Sequence, residues 1–184
     1  MAYALLILMA LAISHNSGAH SAAPSTQPNP SPSKATTVPV PLSNAAKEFL
    51  QGHNQARDEV GVGPLKWSEQ LANATSLLVR YQRNKMGCQF ANLISSKYRG
   101  NQLWVSGQPV TPSMVVDAWV REKAYYNHTD NSCQPNHTCG VYTQVVWKNS
   151  QELGCAQATC VKNSTTLTIC FYNPPGNVVG ESPY

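Results

Sequence analysis

The sequence predicts an α+β domain in which a disulfide-bonded antiparallel sheet is packed between helical layers. Three observations carry that prediction. From Ser43 onward the first half of the chain repeats apolar residues at helical spacing. From Tyr142 the period shortens to two, and six cysteines follow an export-type leader. Helices first and strands later define α+β, and a sheet this apolar needs cover on both faces.

The first helix is expected to start at Ser43 or Asn44, either of which can cap it. Ala46, Phe49, Leu50 and then His53 or Ala56 recur at i, i+3, i+4 and i+7, and Gly61-Val62-Gly63-Pro64 stops the helix. A second helix begins after Ser68 as N-cap, with Glu69 in its first turn. Its inward face is Leu71, Ala74, Thr75, Leu78 and Val79, its solvated face carries Arg80, Arg83 and Lys85, and it ends by Gly87. Thr111 caps a third helix, with Pro112 at the first helical position, where a missing N–H is harmless. Val115, Val116, Trp119 and Val120 form its core side. Tyr142 to Trp147, Gly154 to Cys160 and Thr165 to Tyr172 then read as strands. Val161 to Ser164 lies between the last two as a turn, so they should form a hairpin that puts Cys155, Cys160 and Cys170 on neighbouring strands.

Residues 1–23 read as a signal peptide: an apolar run from Ala4 to Ile13, then small residues, with the cut expected within 19–23. The run covers only about half of a bilayer core and no later window approaches the roughly 20 residues needed, so no transmembrane segment is expected. Residues 24–42 are a Pro/Ser/Thr-rich spacer unable to build a core, and the folded domain is expected over 43–184. A net charge of +4 from scattered basic residues lacks the concentrated basic stripe that nucleic acid requires, and that class is excluded.

Behind a leader, Cys88, Cys133, Cys139, Cys155, Cys160 and Cys170 are expected to form three disulfides, with all pairings open. Cys133 to Cys139 and Cys155 to Cys160 are too widely spaced for the usual zinc knuckle. Sequons at Asn73, Asn127, Asn136 and Asn163 are candidate glycosylation sites and fit the secretory route. The expected localisation is extracellular.

Phe49-Leu50 with His53-Asn54 and Arg57, Gly61 to Trp67, Tyr142-Thr143-Gln144-Val145-Val146-Trp147, Leu153-Gly154-Cys155 and Cys170 to Asn177 form a series that no short pattern could mimic. From about Ala45 to its end the chain resembles the CAP (SCP) superfamily, and within it plant pathogenesis-related protein 1. Phe90 to Leu93 and Gly100 to Trp104 look most like the pistil-expressed subgroup. The resemblance implies an α-β-α sandwich, three disulfides and a central cleft that in many members holds a His-Glu-Glu-His metal tetrad. At the tetrad positions this chain has Asn92, Gly100, Glu122 and Val141, retaining only the glutamate. One carboxylate cannot replace two imidazoles as zinc ligands, so neither a tetrad metal nor any other cofactor is expected.

His128 and His137 flank the Cys133 to Cys139 region and could approach one another, but each is the middle residue of a sequon and reads as a surface histidine. His53 reads as a satisfied core histidine, and Glu122 as a partner for a neighbouring cation. Once the cysteines are bridged, no Ser or Cys has an activating histidine. Asp58, Glu59 and Asp117 lie at helix-surface positions rather than as a catalytic pair. No catalytic residue is expected.

Three functions remain. The first is a secreted, monomeric, non-enzymatic defence module binding sterols or lipids of invading microbes, as the resemblance implies. Trp104, Trp119, Tyr125 and Tyr126 are its candidate ligand groove. The second is a precursor: Pro174 to Tyr184 matches the family's Pro-x-Gly-Asn-x-x-x-x-Pro-Tyr signalling tail. A processing protease would cut at the boundary of Asn173 and Pro174, although family members that release the peptide typically carry Asp where this chain has Asn173. The third is a structural protein of reproductive tissue, bound to cell wall through the proline-rich spacer.

Overall fold

The computed structural model describes residues 41–93, 98–160 and 164–184. The leader, nearly all of the proline-rich spacer and the Asn163 sequon lie outside them.

Ser43 is the N-cap of α1 (Asn44–Asp58), its Oγ accepting from the Ala46 N–H at 3.2 Å. Helix α2 (Glu69–Lys85) follows the two-residue strand β1 (Lys66–Trp67). Thr111 caps α3 (Pro112–Val120) through a bond from the Met114 N–H, with Pro112 in the first turn. Helix α3 then tightens into a 3₁₀ turn, Arg121–Tyr125. A small ribbon of β3 (Tyr126–Asn127) and β4 (Ser132–Cys133) precedes α4 (Gly140–Val145).

The main sheet has the order β1-β5-β6-β2, where β2 is Gly100–Ser106, β5 is Glu152–Cys160 and β6 is Thr165–Asn173. Strands β5 and β6 form the expected antiparallel hairpin, with Cys155 opposite Cys170. β2 adds to β6 antiparallel, while the short β1 joins β5 parallel, so the sheet is antiparallel except at that edge. All of β6 from Thr165 to Tyr172 is buried, because helices cover both of its faces. Leu167, Ile169 and Phe171 pack with Leu71 and Val79 of α2. On the other face, Cys170 and Tyr172 pack with Phe49, Val115, Val116, Trp119 and Tyr142. The result is the expected α-β-α sandwich.

The disulfides pair Cys88 with Cys160, Cys133 with Cys139, and Cys155 with Cys170. The first ties the end of α2 to the end of β5 and the last crosses the hairpin.

One expected strand is a helix. Tyr142 to Trp147 alternates like a strand, yet its first four residues lie in α4, and β2, which the residue pattern did not single out, supplies the fourth strand of the main sheet. The reason lies in what holds the two ends of α4.

Candidate functional site

A cleft lies among α4, β2 and the C-terminal tail. Short and rich in β-branched residues, α4 has little intrinsic reason to be helical. Glu122, from the 3₁₀ turn, supplies its N-terminal cap: Oε2 accepts from the N–H groups of Val141 and Tyr142 at 3.1 and 3.4 Å, and Oε1 from the Thr138 hydroxyl at 2.7 Å. A carboxylate there also opposes the helix dipole favourably. Glu122 therefore does not pair with a cation, as its sequence context implied; it acts as a cap delivered from another element.

At the opposite end sits Arg57, buried in α1. Its Nε donates to the Gly63 carbonyl at 2.7 Å, Nη1 to Val145 and Trp147 at 3.1 and 2.9 Å, and Nη2 to Ser150 at 3.0 Å. The guanidinium thus closes the C-terminal end of α4 and the turn after it, and its charge suits that end of the dipole. Burial lowers its pKa to about 10, still protonated at neutral pH.

Replacing Glu122 by Ala should destabilise the fold by about 1–2 kcal/mol, in the range of other lost N-caps. The more specific readout is hydrogen exchange, in which the amides of Val141 and Tyr142 should exchange faster than those of α1. Unchanged exchange at these two amides would remove the capping role.

Beneath α4 runs a buried polar chain. His53 Nδ1 lies 2.7 Å from the Phe49 carbonyl, which can only accept, so Nδ1 carries the proton and Nε2 accepts from the Tyr172 hydroxyl at 2.8 Å. Asn101 Nδ2 donates to that hydroxyl at 3.2 Å and to the Val141 carbonyl at 2.8 Å. His53 is a satisfied core residue, with Trp119 edge-on to its ring. Burial pulls its pKa down to about 4 and pushes the Tyr172 phenol up.

The tetrad positions do not fit a divalent metal. Asn92 and Val141 offer no imidazole, and both oxygens of Glu122 are engaged in capping. At Gly100 a Cβ would run into the Cys170 carbonyl and come within 2.9 Å of the Phe171 ring, so a glutamate cannot be restored there without moving β2. What remains is a cleft of 330 Å³ lined by Leu93, Arg99, Gly100, Gln144, Gly176 and Asn177. Among the described residues no three His, Cys, Asp or Glu side chains converge elsewhere. His128 and His137 do not approach each other as ligands; they stack on different tyrosines, Tyr184 and Tyr125.

The four candidate groove aromatics do not form one groove. Trp119 is core, 2 % exposed. Tyr125 is stacked under His137, Tyr126 packs against Tyr142 and Tyr184, and Trp104 stands on the opposite side of the sheet beside Phe90. Helical spacing put Trp119 and Val115 on the same inward face, and burial of that face decided its role. A larger cavity of 590 Å³ lies instead between the Gly107–Val110 loop and the sheet, lined by Gln157, Thr159, Ser164 and Thr166, and no residue pattern had pointed to it.

The tail is docked on α4. Gln144 Oε1 accepts from the Gly176 N–H at 2.9 Å, and Asn177 bonds both the Gly140 carbonyl and the Thr143 hydroxyl at 2.7 Å. Pro183 is buried, its carbonyl accepting from the Lys148 N–H, and the Tyr184 hydroxyl lies 3.2 Å from that of Tyr142. A Cβ at Gly176 would meet Trp147 at 2.5 Å, so only glycine passes there. Asn173 and Pro174, by contrast, are exposed. Of the sequons, Asn73 is exposed on α2, Asn127 on β3, and Asn136 in the loop before α4.

A disulfide-bonded α-β-α sandwich whose short helix closes a cleft against the sheet defines a class, and the comparisons agree with it: residues 50–172 match the CAP, or cysteine-rich secretory protein, family, and the chain belongs to that family. Within it several relatives are pathogenesis-related 1 proteins. The chain is 66% identical over 142 residues to STS14 protein from Solanum tuberosum, covering 77% of this chain and 66% of that protein. It is 43% identical to pathogenesis-related protein 1C from Nicotiana tabacum over 77% of this chain and 82% of the relative. Among solved structures, Schistosoma mansoni venom allergen-like protein 4 superposes with a TM-score of 0.58 at 26% identity, over 78% of this chain and 95% of that one.

Proposed function

We propose that the chain is a secreted, monomeric, non-enzymatic plant defence module that binds an uncharged amphipathic lipid of the sterol class. The observation that carries this reading is the 590 Å³ cavity beside the Gly107–Val110 loop. Its size lies in the usual range for small-molecule sites. Among the described residues no charged side chain lines it. Pro109 and Val110 offer apolar cover, while Gln157, Thr159, Ser164 and Thr166 can bond a single hydroxyl. The cleft at the tetrad positions lacks metal donors and the buried histidine is fully bonded, which supports binding rather than catalysis. Purified mature protein should retain a labelled sterol, and Val110→Trp, which fills the cavity from its rim, should weaken retention at least tenfold with unchanged melting. No retention by the parent protein, or equal retention by the variant, would overturn the reading.

A second reading is favoured by the exposed Asn173–Pro174 junction: the tail Pro174 to Tyr184 is cut there and released as a signal. Because Gly176 and Asn177 hold the tail against α4 and Pro183 holds it at Lys148 just beyond, cleavage alone would leave it docked, and release needs those contacts to open. Mass spectrometry of extracellular fluid from pathogen-challenged tissue should then contain the free eleven-residue peptide. Only the intact chain would be found if the tail is structural. Retention on cell wall through residues 24–42, and glycans at the exposed sequons, belong to the same extracellular setting.

A further inference from the structure

Between Glu69 and Asp117 the chain has no acidic residue, yet that stretch carries five of its thirteen basic ones. The rest of the chain has eight basic and nine acidic residues, and three of the five cations of this stretch stand in the α2 layer. Arg80, Arg83 and Lys85 are exposed on the last two turns of α2. Among the described residues the one ion pair is Lys123 with Glu59, on the other side of the molecule, so no carboxylate neutralises these three.

The same layer exposes large apolar side chains. Leu77 is 65 % exposed and Tyr81 54 %, one turn apart on the outer side of α2, with Met86 at its end. Phe90, 59 % exposed, and Trp104, 44 % exposed, line a shallow cleft just beyond it with Gly87 and Gln89. Trp104 is opposite Leu167 across β2 and β6, and Leu167 packs under α2, so Trp104 stands on the α2 side of the sheet. Most of the large exposed hydrophobic side chains among the described residues gather here, interleaved with the cations.

We propose that this face docks on an anionic lipid bilayer, with Leu77, Tyr81, Met86, Phe90 and Trp104 entering the headgroup region and Arg80, Arg83 and Lys85 meeting its negative charge. Aliphatic and aromatic side chains backed by cations are the composition of an interfacial helix face, and Trp and Tyr favour the headgroup level. An acidic polysaccharide would match the charge, but it has no use for exposed Leu77 and Met86. The surface is independent of the sterol cavity: Thr166, which lines that cavity, alternates along β6 with Leu167 and so faces the other side.

The test is co-sedimentation of the full mature chain with sterol-free vesicles. Vesicles of phosphatidylcholine with about one third phosphatidylserine should bind at least tenfold more protein than pure phosphatidylcholine, with binding falling at high salt. Charge reversal at Arg80, Arg83 and Lys85 should abolish the difference. Leu77→Ser with Phe90→Ser should lower binding about tenfold at unchanged melting temperature, which exposed positions allow. Equal binding to both vesicles, or binding indifferent to these variants, overturns the proposal. So does binding to soluble polygalacturonate with the same charge dependence in place of vesicles. Because the vesicles hold no sterol, failure of the sterol reading leaves this result unaffected.

Discussion

Arg57→Met should cost about 3–5 kcal/mol of stability, a large share of what a domain of this size possesses. Four backbone carbonyls, those of Gly63, Val145, Trp147 and Ser150, lose the guanidinium at once, and three of them lie in or just after α4, of which the Trp147 carbonyl keeps the Ser150 N–H. Each buried acceptor left unpaired costs about 1–3 kcal/mol. Against that stands the relief of no longer burying a charge without a carboxylate partner, which is why the sum falls below the four losses taken separately. Arg57→Lys should recover less than half, since one ammonium cannot reach carbonyls that a planar fork spans from three nitrogens. Urea unfolding of the two variants measures both effects. A loss under 1 kcal/mol for Arg57→Met would mean that water takes over these carbonyls and that α4 does not depend on the guanidinium.

Acid should weaken the fold through His53. Its folded pKa of about 4 lies below the ordinary 6.5, because burial disfavours the imidazolium. Between those two values the unfolded chain binds a proton that the folded chain refuses, so stability falls as pH falls. The contribution is complete above about pH 6.5 and is lost down to about pH 4, at close to 1.4 kcal/mol per pH unit, or about 3 kcal/mol in all. Protonated Nε2 could no longer accept from Tyr172, and Arg57 nearby adds like-charge repulsion. His53→Gln does not titrate, so it subtracts the carboxylates that also protonate in acid. The native chain should lose about 2–3 kcal/mol more than His53→Gln between pH 7 and pH 4.5. Parallel pH profiles would show that the imidazole is hydrated in the folded state.

The two residues share a history in the sequence. Both stand in the first helix at positions where periodicity leads one to expect burial, and His53 was legible as a core histidine on that ground. Arg57 was visible only as a letter in a motif, because nothing local tells that three carbonyls 88 to 93 residues away will need its N–H groups.

Local pattern determined the three long helices, their caps at Ser43 and Thr111, and the β5–β6 hairpin, because each follows from contacts within a few residues. The resemblance placed the tetrad positions at Asn92, Gly100, Glu122 and Val141, and which donors stand there is a property of the side chains themselves. Tertiary structure alone decided that Tyr142 to Val145 is helical: Glu122 and Arg57 satisfy its ends from outside, which outweighs the strand preference of its valines and tyrosine. It decided which cysteines pair, because pairing is set by distances in space. And it scattered the four aromatics proposed as one ligand groove, since a side chain's face is fixed by what packs against it.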